Sequence, residues 1–147
     1  FWVQLHGRSI KSRVLWKSLT GASSIRPSAT RWWSTWEVIA QVFEHSGQVL
    51  EFLVQCDFSP KLVPKLRGLI AEHEHVLFLE LAAVEDAGVA LVKATYNLEG
   101  DGFLAPHAFD WMNGSIHHLE QFIEGKHPKV SQCSEMITNY SMQHETQ

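Results

Sequence analysis

Residues 76–96 constrain the fold of this 147-residue chain more than any other stretch. They are apolar nearly all round, with Glu80, Glu85, Asp86 and Lys93 as their only charges. A helix without a polar face has to be surrounded. The segment therefore predicts the central helix of its domain, about 30 Å long at ~1.5 Å per residue. No uncharged apolar run reaches the ~18 residues of a membrane span, and no signal-peptide pattern opens the chain. Nor does any stretch show period-2 alternation bounded by turn residues, so strands are not required.

Hydrophobic spacing elsewhere is helical. Residues 8–19 form a first helix with Ile10, Val14 and Leu15 on one side, stopped by Gly21 as a C-cap. Residues 21–29, rich in small and turn residues, form a loop. Ser34, Thr35, Trp36 and Glu37 read as a capping box, with Trp33 and Val38 at the hydrophobic-staple positions. A stripe of Trp36, Ile39, Phe43, Leu50 and Leu53 follows, interrupted at Ser46 and Gly47, so residues 35–55 are one weakened helix or two hinged ones. Ser59 and Pro60 mark another start, Pro64 disturbs its first turn, and Val63, Leu66, Leu69 and Ile70 form its buried face. Glu99, Gly100, Asp101 and Gly102 end the apolar helix. After Pro106, Phe109, Met112, Ile116, Leu119 and Ile123 make a last amphipathic stripe, closed near Gly125 and Pro128. The expected architecture is all-α, an irregular bundle of about five helices. Residues 1–30 are a basic leader helix and loop, 31–126 a helical domain, and 127–147 a poorly ordered or short-helix tail.

Hydrophobic residues make up 45% and charged residues 19%, a globular composition. The net charge of −4 conceals an asymmetry. Arg8, Lys11, Arg13, Lys17, Arg26 and Arg31 give residues 1–36 six positive charges and no acid, so all sixteen acids lie beyond. Such a leader attracts polyanions, and an acidic body keeps that attraction local. Two cysteines, Cys56 and Cys133, exclude a disulfide scaffold and a four-cysteine zinc site, and suit a reducing compartment. The first residue is Phe1, not Met, which suggests a piece of something longer.

Few residues offer chemistry. His73 and His75, two apart, point to different faces of a helix and cannot share a zinc there; His117 and His118 fail likewise. Glu99 and Asp101 lie in a turn without the spacing of a calcium loop, and read as solvated helix-end charges. Glu85 and Asp86 within the apolar helix need partners if buried, and Lys93 is within two turns. Neither a nucleophile elbow nor a phosphate-binding glycine loop is present. No metal and no cofactor is expected.

The informative cluster is Thr30, Arg31, Trp32, Trp33, Ser34, Thr35 and Trp36. With the helix starting at Ser34, Arg31 and Trp32 precede it and lie beside its anion-favouring N-terminus. An arginine for phosphate and a ring for base stacking make a nucleic-acid contact; the plain alternative is that all three rings are core anchors.

This cluster resembles the Thr-Arg-Trp-x-Ser signature of hAT-family DNA transposases. Trp16 and Lys17 with Gly21 downstream, residues 30–38 and residues 93–102 follow in the order seen in hAT-like proteins, and Leu81, Ala82, Ala83, Asp86, Ala87 and Gly88 also fit. The resemblance runs from about residue 8 to 122. It implies the helical insertion domain of an RNase H-like transposase, the arginine–tryptophan pair contacting DNA and the tryptophan stacking on a flipped base. Carried over, those roles fall on Arg31 and Trp32, with Trp33 in the variable position and Arg26, Lys17 and Arg13 adding basic contacts. The family's two aspartates and glutamate fall outside this segment. Asp57, Asp86, Asp101 and Glu99 do not replace them, so the chain is expected not to be an enzyme. Phe103 replaces a frequent proline, a departure that with the atypical tail after Gly125 suggests a degenerate copy or an altered reading frame near the end. The implied partners are DNA and a second copy or the remainder of a transposase, without a membrane, and the implied location is nuclear. The alternatives are a helical protein–protein interaction module without nucleic-acid affinity and a remnant without a role; a stand-alone nuclease ranks last.

Overall fold

A computed structural model describes residues 9–56, 61–99 and 105–144. Among them the secondary structure is entirely helical: α1 (Ile10–Thr20), α2 (Trp32–Glu44), α3 (Ser46–Gln55), α4 (Leu62–Glu99), α5 (Ala105–Ile123) and α6 (Pro128–His144). Taking α2 and α3 as halves of one bent helix gives five. No helix among the described residues is long and apolar enough to cross a membrane. The chain forms two compact units, Phe1–Leu81 and Ala82–Gln147, whose boundary falls inside α4.

The first unit is built around Trp16, which is fully buried. Its ring meets Phe52 edge-on at 5.3 Å and His45 at 5.8 Å, within a core of Val49, Leu53, Cys56, Val63 and Ile70. Burying this indole decides the rotation of α1. Ser12 and Trp16 point inward, Leu15 and Leu19 pack at the margin, and Ile10 and Val14, expected to share a face with Leu15, are exposed. A tryptophan brings more apolar area than either aliphatic, so its burial takes precedence. Ser9 caps α1 by accepting from the Ser12 amide at 3.2 Å, and the Ser12 hydroxyl lies 3.9 Å from the Cys56 thiol.

The hinge expected at Ser46 and Gly47 falls one residue earlier. His45 leaves the helical region (φ −105°, ψ 28°), ends α2 through its amide on the Gln41 carbonyl at 3.1 Å, and offers its own carbonyl to the Gln48 amide at 3.0 Å. Of the expected stripe only Leu53 is buried; Trp36, Ile39, Phe43 and Leu50 are half-buried, and α2 turns Trp33, Ser34, Val38 and Gln41 inward.

Two expected helices merge in α4, bent where His73 departs from helical geometry (φ −132°, ψ 22°). The start expected at Ser59 and Pro60 lies outside the described residues. Pro64 is the third helical residue, where its missing N–H costs nothing to the helix ladder. Val63 and Ile70 are buried and Leu66 packs against the core, but Leu69 is exposed. The expectation of a fully surrounded helix over 76–96 is overturned. Phe78, Ala82, Asp86 and Val92 are buried, whereas Val76, Val84, Val89, Leu91 and Tyr96 are exposed, because neighbouring helices cover one face only.

The second unit is organised by Asp86, only 4% exposed. Its carboxylate accepts from the Lys129 amide (2.9 and 3.1 Å) and the Val130 amide (3.1 Å), capping α6 from a position more than forty residues earlier. Lys129 Nζ lies 3.6 Å from Glu85, so the acid pair on α4 meets α6 rather than Lys93. On α5, His118 Nε2–H donates to the Asp86 carbonyl at 2.6 Å, and the Ser115 hydroxyl reaches the Ala90 and Trp111 carbonyls at 3.3 and 3.0 Å. Gly125 (φ 88°) ends α5 in a Schellman motif, with Lys126 N–H on the Gln121 carbonyl and Gly125 N–H on the Phe122 carbonyl. The segment expected as a poorly ordered or short-helix tail contains the 17-residue α6.

Candidate nucleic-acid contact

The loop after α1 is shaped by glycine at one end and by two buried side chains along its length. Gly21 adopts φ 73°, and its amide closes α1 on the Lys17 carbonyl at 2.9 Å. Gln41 then pins the loop to α2: its Nε2 donates to the Ser23 carbonyl (2.9 Å) and its Oε1 accepts from the Ile25 amide (3.1 Å). Ser34 makes the second pin, accepting from the Ser28 amide at 2.7 Å and donating to the Arg31 carbonyl at 2.6 Å. Arg26 lies between the two anchors and is exposed.

These bonds overturn the expected capping box. The Ser34 hydroxyl holds the loop, so it does not cap the helix. The start of α2 moves back to Trp32, with Arg31 extended (φ −122°, ψ 98°) in the N-cap position and no side-chain cap. Trp32 is thus the first helical residue instead of preceding the helix, and Trp33 lies inside it rather than in a staple.

The three neighbouring site residues divide by exposure. Trp32 is 54% exposed and Trp33 8%. Burial removes Trp33 from direct stacking and makes it a platform. The Arg31 guanidinium carbon lies 5.7 Å from the Trp33 ring centroid, and the Trp32 ring meets Trp33 edge-on at 6.3 Å. Arg31 is exposed. Arg13 and Lys17, one turn apart on α1, are exposed as well; among the described residues no hydrogen bond, ion pair or ring contact joins either to Arg31 or Trp32.

Acid begins at Glu37. Glu37 and Glu44, with Ile25, Trp36, Ala40 and His45, line an open cleft of about 570 Å³. Gln41 is the residue sequence reasoning missed. Its signal was a polar amide three residues from Val38 and seven from Ser34, at the inward-facing spacing Ser34, Val38, Gln41.

Elsewhere reactive groups are muted. Burial raises the pKa of the Cys133 thiol above its ordinary value. Among the described residues no three His, Cys, Asp or Glu side chains converge to hold a metal ion. His73 and His75 are exposed, the former beside Glu72 at 3.9 Å. Compared with protein families, curated proteins and solved structures, the chain matches none.

Proposed function

We propose that this chain is a non-catalytic helical piece of a hAT transposase-like protein, contacting DNA through Arg31, Trp32 and its basic leader. The observation that carries the reading is the exposed Trp32 ring next in sequence to the exposed Arg31, at an uncapped helix start preceded by no acid. Trp32 stacks on an unpaired base, a contact worth ~1–3 kcal/mol. Arg31, ordered against Trp33, neutralises the adjacent phosphate, and the N-terminal dipole of α2 adds to it. Arg26, Lys17 and Arg13 supply further attraction to the backbone. The order of motifs along residues 8–122 supports the family assignment, and with it a nuclear location. Strand transfer belongs to metal-binding carboxylates elsewhere in such a protein.

Fluorescence anisotropy of a labelled hairpin-forming DNA tests this at low and moderate salt. Wild type should bind with log affinity falling by ~0.7 per log salt for each phosphate neutralised on a single strand. Trp32→Ala should weaken binding by ~5–150-fold, the range set by one stacking contact. Adding Arg31→Ala should also flatten the salt slope by about 0.7. Folded wild type that does not bind at low salt would sink the reading.

One observation favours a second function, a helical protein–protein interaction module. The hydrophobic residues Phe109, Met112, Ile116 and Ile123 on α5 face solvent.

A further inference from the structure

The α5 helix is inverted relative to an ordinary surface helix. Its inward residues are Trp111, Ser115, His118 and Phe122, of which Ser115 and His118 hydrogen-bond to α4 carbonyls and Phe122 meets the His127 ring at 4.4 Å. Its most apolar face points outward, with Phe109 70% and Ile123 83% exposed and Met112 and Ile116 more than half exposed. These four, with half-buried Leu119, follow the intervals 3, 4, 3 and 4, the 3.5-residue repeat by which one helix presents a seam to another. At 1.5 Å per residue the seam is about 21 Å long, enough for a partner helix of roughly four turns.

The charge along the seam selects the partner. One side of the stripe is occupied by the contacts to α4. The other side carries the exposed Asp110, Glu120 and Glu124, with Glu120 3.7 Å from His117 and Glu124 3.5 Å from Lys126. The surrounding unit, residues 82–147, holds nine acids and three lysines. A second copy of α5 would bring acid against acid. A helix with apolar residues at the same repeat and lysine or arginine on its flank satisfies both the seam and its edge.

We propose that the outward face of α5 is a docking surface for a basic amphipathic helix of a partner protein. This rests on the interaction-module reading and deepens it; it does not depend on whether Arg31 and Trp32 touch DNA.

The test uses two synthetic peptides of about three heptads, Leu at a and d, one with Lys and the other with Glu at e and g, so that each repels itself. Binding to the full chain is measured by peptide-label anisotropy. The Lys peptide should bind at least about tenfold more tightly than its Glu twin, and Met112→Ser/Ile116→Ser should cost about tenfold or more. Glu120→Lys/Glu124→Lys should invert the preference. All four positions are exposed, and circular dichroism checks that the variants remain folded.

Equal binding of the two peptides, lost in the Met112/Ile116 variant, would overturn the basic partner while leaving a helix-docking surface. Lys-peptide binding that the same variant does not weaken would overturn the site. Failure of both peptides would overturn the surface and the module reading together. Self-association in sedimentation, abolished by Met112→Ser/Ile116→Ser, would make a second copy the occupant and overturn the proposal. Hairpin-DNA binding should be unchanged by these two substitutions, which separates this face from the Arg31–Trp32 contact.

Discussion

Replacing Asp86 by alanine should release the N-terminal turn of α6 while leaving the first unit untouched. The carboxylate is buried and receives three contacts at 2.9–3.1 Å from the amides of Lys129 and Val130. An ordinary N-cap contributes ~0.5–2 kcal/mol, and a hydrogen bond to a charged group ~1.5–3 kcal/mol. Two amides lose their acceptor, and water entering the gap recovers part of the loss, as does relief of the desolvation cost of a buried carboxylate. The expected net is about 2–4 kcal/mol, confined to the second unit. Amide hydrogen exchange resolved along the chain is the suitable assay, because it reads local opening where a single melting curve would average two units. Exchange over residues 128–144 should accelerate by roughly 30- to 1000-fold, the range those energies imply. Asp86→Asn keeps one acceptor oxygen and should fall between wild type and alanine. Lys129→Met preserves the backbone amide and removes a partly exposed contact with Glu85, so it should cost no more than about 1 kcal/mol. If Asp86→Ala left exchange in α6 within about threefold of wild type, or accelerated α1 equally, the assignment of Asp86 as the cap that docks α6 would be wrong.

Three further outcomes follow from the same contacts. Trp33→Ala should destabilise the first unit by about 3 kcal/mol in urea unfolding and Trp32→Ala by less than about 1 kcal/mol, since only the former empties a buried site. Gln41→Ala removes both loop anchors at Ser23 and Ile25; it should cost about 1–3 kcal/mol and accelerate exchange of the Ile25 amide, with the α3 amides much less affected. Gly125→Ala meets no atom within 4 Å but must hold φ 88°, so thermal unfolding followed by circular dichroism should show a loss of about 1 kcal/mol from backbone strain alone.

The candidate contact was partly legible in advance. Arg31 and Trp32 stood out as a charge and a ring in an acid-free segment, and they are exposed. Their relation to Trp33 was not legible, because three tryptophans within five residues carry no label saying which is buried. The start of α2 was misread for a similar reason. Ser34 has one hydroxyl and two competing uses, a helix cap or a loop anchor, and the eleven-residue loop that lies alongside α2 takes it.

Sequence by itself determined the helical class. Period-3.6 spacing, the glycines at positions 21 and 125 and the turn-rich segments are local properties, and local backbone energetics act on them directly. Tertiary structure alone decided which faces are buried. Trp16 rotated α1 away from its aliphatic stripe, and Ser115 and His118 drew the polar side of α5 toward α4 carbonyls. Asp86 found its partners on a helix that begins 42 residues later. Burial depends on the sum of contacts with distant segments and on satisfying polar groups once they are enclosed, and neither quantity is carried by the periodicity of a single helix.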